Sequence, residues 1–466
     1  MNSSIMTKST FISLVAAAVA LTTLATAQMG QGRRGGQGGQ RGGPPGIFRT
    51  DVPDHAIDVI QSRPTTTTIT LSILVAKDTA ATFSYTPGGV AQPLALKAGI
   101  PFEIEVASLT PDHSYQYTVA AEKPLATGTF RTARPAGAPF IFDVQADSHL
   151  DENTDPRVYA NTLTNIAADR PDFLIDLGDT FMTDKYAVYQ DASKQYLAQR
   201  YYLGIVGRNA PVFLVLGNHD GEVGWRTPGG DMASWSSAMR RKYFPPERPN
   251  SFYSAGPVTS NYYAWTWGDA LFVVLDPFTL SREKPRADDD GWVRTLGRTQ
   301  YDWLRTTLSG SHARYKFIFI HHLVGGLDKD SRGGIEASVF YEWGGDNFDH
   351  TPGFHAHRTG WSMPIHDLLV ANHVSAVFHG HDHLYVRQQR DGIIYQEVPQ
   401  PSSSREDAPN SAADYGYTSG KLLGNPGHLR ISISPDSAIV EYVKSRIYGN
   451  NAEVVDRYTI QPAAVQ

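Results

Sequence analysis

The chain has 466 residues, enough for two or three domains around sizeable cores. Hydrophobic residues make up 41% and charged residues 19%, with a formal net charge of −6, a globular composition without the basic footprint that a nucleic-acid partner requires. There is no cysteine, so thiolate metal sites and disulfides are excluded, and any metal is held by oxygen and nitrogen.

Residues 1–27 read as an export leader. Lys8 supplies the positive start, Phe11 to Leu24 the apolar run, and Ala25-Thr26-Ala27 a small-residue cleavage site. That run is short for a membrane span, and no later segment is long and apolar enough for one. The expected product is exported, periplasmic or extracellular, with no membrane span after leader removal. Residues 28–47 are Gly-rich and read as a flexible linker.

Residues 48–135 read as short strands. Ile69, Leu71 and Ile73 alternate with Thr70 and Ser72, and Phe102, Ile104 and Val106 alternate with two glutamates. Thr86-Pro87-Gly88-Gly89 is a turn. Leu109-Thr110-Pro111 followed by Tyr115 to Val119 resembles the tyrosine-corner region of a β-sandwich. The segment resembles the fibronectin type III-like sandwich that precedes the catalytic domain in purple acid phosphatases, and it carries no chemistry of its own. A second domain is expected over 139–466, where apolar strands alternate with helical stretches. Helices are expected over Tyr159 to Ala168, Tyr186 to Tyr202 and Thr299 to Leu308. Hairpins are expected around Gly268-Asp269 and Pro435-Asp436.

Within this second domain five apolar runs end in metal-ligand residue types. The run from Phe140 leads to Asp147-Ser148-His149, and that from Phe173 to Gly178-Asp179. Phe213 to Leu216 leads to Gly217-Asn218-His219-Asp220. Phe317 to Ile320 leads to His321-His322, and Val374 to Phe378 to His379-Gly380-His381-Asp382-His383. A histidine at one strand end reads equally well as a cap or a packed core residue. Five such ends in series point to one site at the carboxyl ends of the strands, where open α/β sheets bind ligands.

In this order the motifs resemble the calcineurin-like metallophosphoesterase signature, D-x-H, G-D, G-N-H-[DE], H and G-H-x-H, over roughly residues 140–445. The resemblance implies an α/β (α+β) four-layer sandwich of two mixed β-sheets flanked by helices, here preceded by an all-β sandwich domain. It implies one metal held by Asp147, His149, Asp179 and His383, and a second by Asp179, Asn218, His321 and His381, with Asp179 bridging. It implies two divalent or mixed-valence ions (Mn, Fe or Zn), no organic cofactor, and His219 as the general acid facing a small phosphorylated substrate. His322, His379, Asp220 and Asp382 stand beside the ligands, the carboxylates as candidates for orienting neighbouring histidines.

One position departs from the pattern. Three residues after Asp179 the purple acid phosphatases carry an iron-binding Tyr and the Ser/Thr phosphatases an Asp that pairs with the catalytic histidine; this chain has Met182. Asp184, two residues on, is a candidate for the missing Asp, which spacing alone does not decide.

The expected function is an exported dinuclear-metal phosphoester hydrolase, a phosphomonoesterase first and a phosphodiesterase or nucleotidase as the alternative. A catalytically dead envelope-binding protein is the distant third, disfavoured because none of the seven ligands is missing. His322, Arg332 and Tyr341 are candidate substrate contacts, with Arg358, Trp225 and Trp343 as further clamping or stacking groups that read equally well as structural. The metal ligands do not separate mono- from diesters, and the oligomeric state is not legible in the sequence.

Overall fold

The computed structural model describes residues 47–226, 230–257, 260–284, 291–405 and 412–463. The leader read at 1–27 and all but the last residue of the linker read at 28–47 lie outside the described residues.

The N-terminal region is all β. Strands β1 (Ile57–Ser62), β2 (Ile69–Val75) and β5 (Phe102–Val106) form one antiparallel sheet. Strands β3 (Thr79–Thr86), β4 (Gln92–Leu96), β6 (Ser114–Ala120) and β7 (Pro124–Arg131) form another, in the order β4-β3-β6-β7. Period-2 alternation aims Leu71, Ile73, Phe83, Ile104, Tyr117 and Val119 into one core. The Tyr115 hydroxyl accepts the Thr110 N–H at 2.8 Å, tying the turn before β6 to the strand.

The following region has two further sheets. Strands β8 (Phe140–Gln145), β9 (Phe173–Asp176) and β10 (Val212–Leu214) run parallel. They continue antiparallel into β19 (Gly427–Ile433), β20 (Ala438–Lys444) and β21 (Val454–Ile460), giving the order β10-β9-β8-β19-β20-β21. The second sheet has β11 (Ser254–Ala255), β12 (Tyr263–Trp267), β13 (Ala270–Val274), β14 (Tyr315–Phe319), β15 (Ala376–His379), β16 (Tyr385–Arg390), β17 (Ile393–Glu397) and β18 (Lys421–Leu423). Its order is β11-β12-β13-β14-β15-β17-β16-β18, with β13, β14, β15 and β17 parallel.

Alternation again decides the packing. Phe142, Phe173, Phe272, Phe317, Phe319 and Phe378 all enter the core between the two sheets. The Phe142 and Phe272 rings meet edge to face across it at 5.0 Å, the arrangement their quadrupoles favour. Helices α1 (Pro156–Asp169) and α2 (Ser193–Gly207) cover the outer face of the first sheet, and α3 (Met232–Tyr243) packs beside α2. Helix α4 (Gly297–Ser309) and the helix Ile365–Ala371 cover the second sheet.

Two helices agree with expectation to within a turn. The expectation over Tyr186 to Tyr202 is corrected: Thr183–Lys185 and Tyr189–Ala192 are separate 3₁₀ turns, and the helix runs Ser193–Gly207. Tyr186 has left the helical register to stack on Phe48 at 3.9 Å, and Asp184 is held by a histidine from another loop.

Candidate metal centre

Because β8, β9 and β10 are parallel, as are β14 and β15, their carboxyl ends gather at one edge of the sandwich. The turns that follow are tight. A Cβ on Gly178 would lie 2.4 Å from the Gly217 nitrogen, and one on Gly217 only 2.0 Å from the Asp179 nitrogen. Glycine alone permits that approach. The Asp220 carboxylate then clamps both loops, accepting the N–H groups of Gly217 (2.8 Å), Asp179 (3.1 Å), Thr180 (2.9 Å) and Phe181 (2.9 Å). Asp220 therefore holds backbone and orients no histidine, contrary to expectation.

Left-handed backbone aims the ligands. Asp147, Asp179, His381 and His383 have φ of 59°, 54°, 82° and 55°, each costing on the order of 1–3 kcal/mol for a non-glycine residue. Asp147 Oδ2 accepts the His381 N–H at 2.8 Å. Its Oδ1 is buried without a hydrogen-bond partner among the described residues, 3.4 Å from His383 Nε2. His383 Nε2 lies 3.3 Å from His149 Nε2. Across Asp179 a second group forms. His321 Nε2 lies 3.0 Å from Asn218 Oδ1, 3.2 Å from His381 Nδ1 and 3.4 Å from Asp179 Oδ2.

These spacings fit metal coordination. Ligand atoms at right angles around an ion with bonds of about 2.1 Å are about 3 Å apart. The opposite nitrogens of two of them are fixed as ligating imidazoles require. His321 Nδ1 lies 2.9 Å from the Leu177 carbonyl and His381 Nε2 2.7 Å from that of Asp330, while His149 Nδ1 lies 3.0 Å from Asp151 Oδ2 without hydrogen-bond geometry. The electrostatics call for positive charge: burial opposes protonation of His321, yet Asp179 and Asp147 push it up to about 9. Burial likewise pushes Asp179 up, but the histidines around it hold it well below the usual carboxylate range. The seven expected ligands thus fall in two adjacent groups, Asp147 with His149 and His383, and Asp179 with Asn218, His321 and His381, and the orphaned Asp147 oxygen is one that a cation would satisfy.

His219 stands beside them. Its backbone N–H donates to Asp179 Oδ1 at 2.8 Å, while its ring Nδ1 lies 2.8 Å from Asp184 Oδ1. Arg226 Nη2 is 3.3 Å from the other Asp184 oxygen. Burial pushes Asp184 up, and the charges of His219, Lys185 and Arg226 hold it below its ordinary value. The turn at buried Met182, whose φ is 49°, makes this reach possible. Met182 itself offers no phenolate. The expected spectrum of the purified protein therefore lacks a tyrosinate-to-iron absorption band at any iron content; a purple preparation would mean that another tyrosine reaches the metal.

The other candidates divide. His322 is buried beside the site, its ring 5.2 Å from that of His381, with Nδ1 2.9 Å from the Leu323 carbonyl. Arg332 is engaged with Asp382 at 2.9 Å and lies 3.9 Å over the Tyr415 ring. Asp382 in turn accepts from Gly333 N and the Tyr417 hydroxyl, so it orients no histidine. Tyr341 is 6% exposed and packs 5.8 Å from Trp292, a core position that leaves little surface for a substrate. Trp343 is fully buried and donates to the Tyr395 hydroxyl, and Arg358 donates to Glu342 and to three carbonyls. Trp225 is partly exposed and packs against Arg294, whose Cζ is 4.8 Å from the ring. His379, at the end of β15, lies 2.6 Å from Glu397 behind the ligands. A separate cluster of Asp143, Asp169 and His428 lies behind β8, where Asp169 pairs with both His428 and Arg430.

Residues 142–385 match the family model described as calcineurin-like phosphoesterase. Among solved structures, that of PhoD superposes with a TM-score of 0.63 at 14% identity, over 88% of this chain and 92% of that one. Purple acid phosphatase PPD1 from yellow lupin (Lupinus luteus) seeds superposes with a TM-score of 0.59 at 14% identity, over 87% of this chain and 74% of that one. At such identities the likeness is one of fold. No curated protein matches the sequence.

Proposed function

Because the chain belongs to the calcineurin-like phosphoesterase family, it is a metal-dependent phosphoester hydrolase, and we propose that it acts as an exported phosphomonoesterase with two metal ions. The observation that supports this reading is the pair of adjacent Asp/His/Asn groups, one on Asp147 and one on Asp179, with the His219–Asp184 pair beside them. Two ions so held would acidify a water and neutralise charge on the phosphoryl oxygens.

The chain's own residues do the rest. Asp184 fixes the Nδ1 side of the His219 ring, leaving Nε2 to face the substrate and donate a proton to the departing alkoxide oxygen. Arg226, 38% exposed at the side chain, extends the cationic wall next to that pair. A monoester dianion gains more from such a wall than a diester monoanion, which favours the monoesterase reading. The leader read at residues 1–27 supports export as part of the proposal.

The test is metal-stripped protein, reconstituted with Mn²⁺, Fe²⁺ or Zn²⁺, assayed in parallel on an aryl phosphate and a bis-aryl phosphate. Stripping should abolish both activities, and kcat/KM after reconstitution should favour the monoester at least about tenfold, worth about 1.4 kcal/mol. Full activity without metal would overturn the metal-dependent mechanism, and a reversed preference would make the protein a diesterase.

A further inference from the structure

We propose that Gln400 is an additional ligand of the metal held by Asp147, His149, Asp179 and His383, supplying a neutral amide oxygen. The inference rests on the dinuclear reading above and extends it to a residue outside the five strand-end motifs.

Gln400 lies beyond β17, between Pro399 and Pro401, two residues of fixed φ that stiffen the segment. It is 3% exposed, and its backbone N–H donates to Asn425 Oδ1 at 2.8 Å. Asn425 is itself tied to the site, its Nδ2 donating to the His383 carbonyl at 2.5 Å. The Gln400 side chain is therefore held from its backbone outward, and its Nε2 lies 3.1 Å from His149 Nε2.

That contact holds only while His149 Nε2 offers a lone pair. The Gln400 amide nitrogen can only donate, so His149 Nε2 is the acceptor of that pair. A cation bound to Nε2 takes the same lone pair. The Gln400 N–H would then lose its acceptor and turn the positive end of its dipole toward the ion. Turning the amide by about 180° about its last torsion exchanges nitrogen for oxygen at almost no steric cost, since the two are nearly isosteric. The oxygen would then lie about 3 Å from His149 Nε2, the spacing of adjacent ligands around one ion. Asn218 offers the same neutral oxygen to the other metal, 3.0 Å from His321 Nε2.

The experiment compares wild type, Gln400→Leu and Gln400→Glu holoenzymes by metal content and by titration with a competing chelator, with circular dichroism as the folding control. Wild type should hold two ions. Gln400→Leu should keep one with unchanged affinity and hold the other about 10–100-fold more weakly. Gln400→Glu should hold that weakened ion at least as tightly as wild type does, because a carboxylate still presents oxygen. Two equally tight ions in Gln400→Leu would overturn the assignment. So would weakened binding in Gln400→Glu, which would make the amide only an N–H donor to His149. A wild type holding fewer than two ions would overturn the dinuclear reading and this inference with it.

Discussion

His219→Ala should keep both metal ions and lose turnover in proportion to how badly the leaving group needs a proton. The ring is absent from both ligand groups, and the backbone N–H that supports Asp179 Oδ1 at 2.8 Å survives the substitution. For alkyl phosphates kcat/KM should fall by about 10²–10⁴, the usual range for a positioned general acid. Nitrophenyl phosphate, whose leaving group departs as the anion, should lose much less. Asp184→Asn should shift rates in the same sense by a smaller factor, since the ring remains but its Nδ1 partner at 2.8 Å loses its charge. The measurement is metal content together with kcat/KM for alkyl and aryl esters in both variants. Equal losses across leaving groups would remove the acid role, and loss of metal would make His219 a ligand.

How much of this site was legible follows from where each residue gets its position. The seven ligands follow directly on apolar runs, so a strand assignment was enough to place them at one edge. Asp184 was visible only as a candidate, because its distance to His219 depends on the left-handed turn at Met182, which no pattern of side chains announces. Asp220 misled for a related reason: its four N–H donors come from two loops that meet only after folding. Gln400 carried no motif, and the flanking prolines were the one local sign of a fixed backbone. Tyr341 and Trp343 stayed open between stacking and structural roles because an aromatic residue in a loop reads alike whether it faces a cleft or a core, and both are buried.

Arg200→Ala should destabilise the protein by about 2–4 kcal/mol, without any contact to the metal centre. Arg200 leaves α2 fully buried and joins the catalytic region to the N-terminal sandwich. Its guanidinium donates to Ser72 Oγ at 3.0 Å, the Ser72 carbonyl at 2.8 Å and the Tyr243 carbonyl at 2.6 Å. No carboxylate pairs with it at salt-bridge distance among the described residues, and burial pushes it down to about 10, which still leaves it charged at neutral pH. Burying that charge is costly, so its removal recovers some solvation free energy. The larger effect is the loss of donors for the carbonyls of Ser72, Tyr243 and Asp58 and the space left where the buried side chain was. Arg200→Met, which fills much of that space but donates nothing, should fall between wild type and Arg200→Ala. Chemical denaturation of the three proteins, with kcat/KM at low denaturant as the control, separates the two contributions. Unchanged stability in Arg200→Ala would mean that the apolar contacts alone hold the sandwich in place.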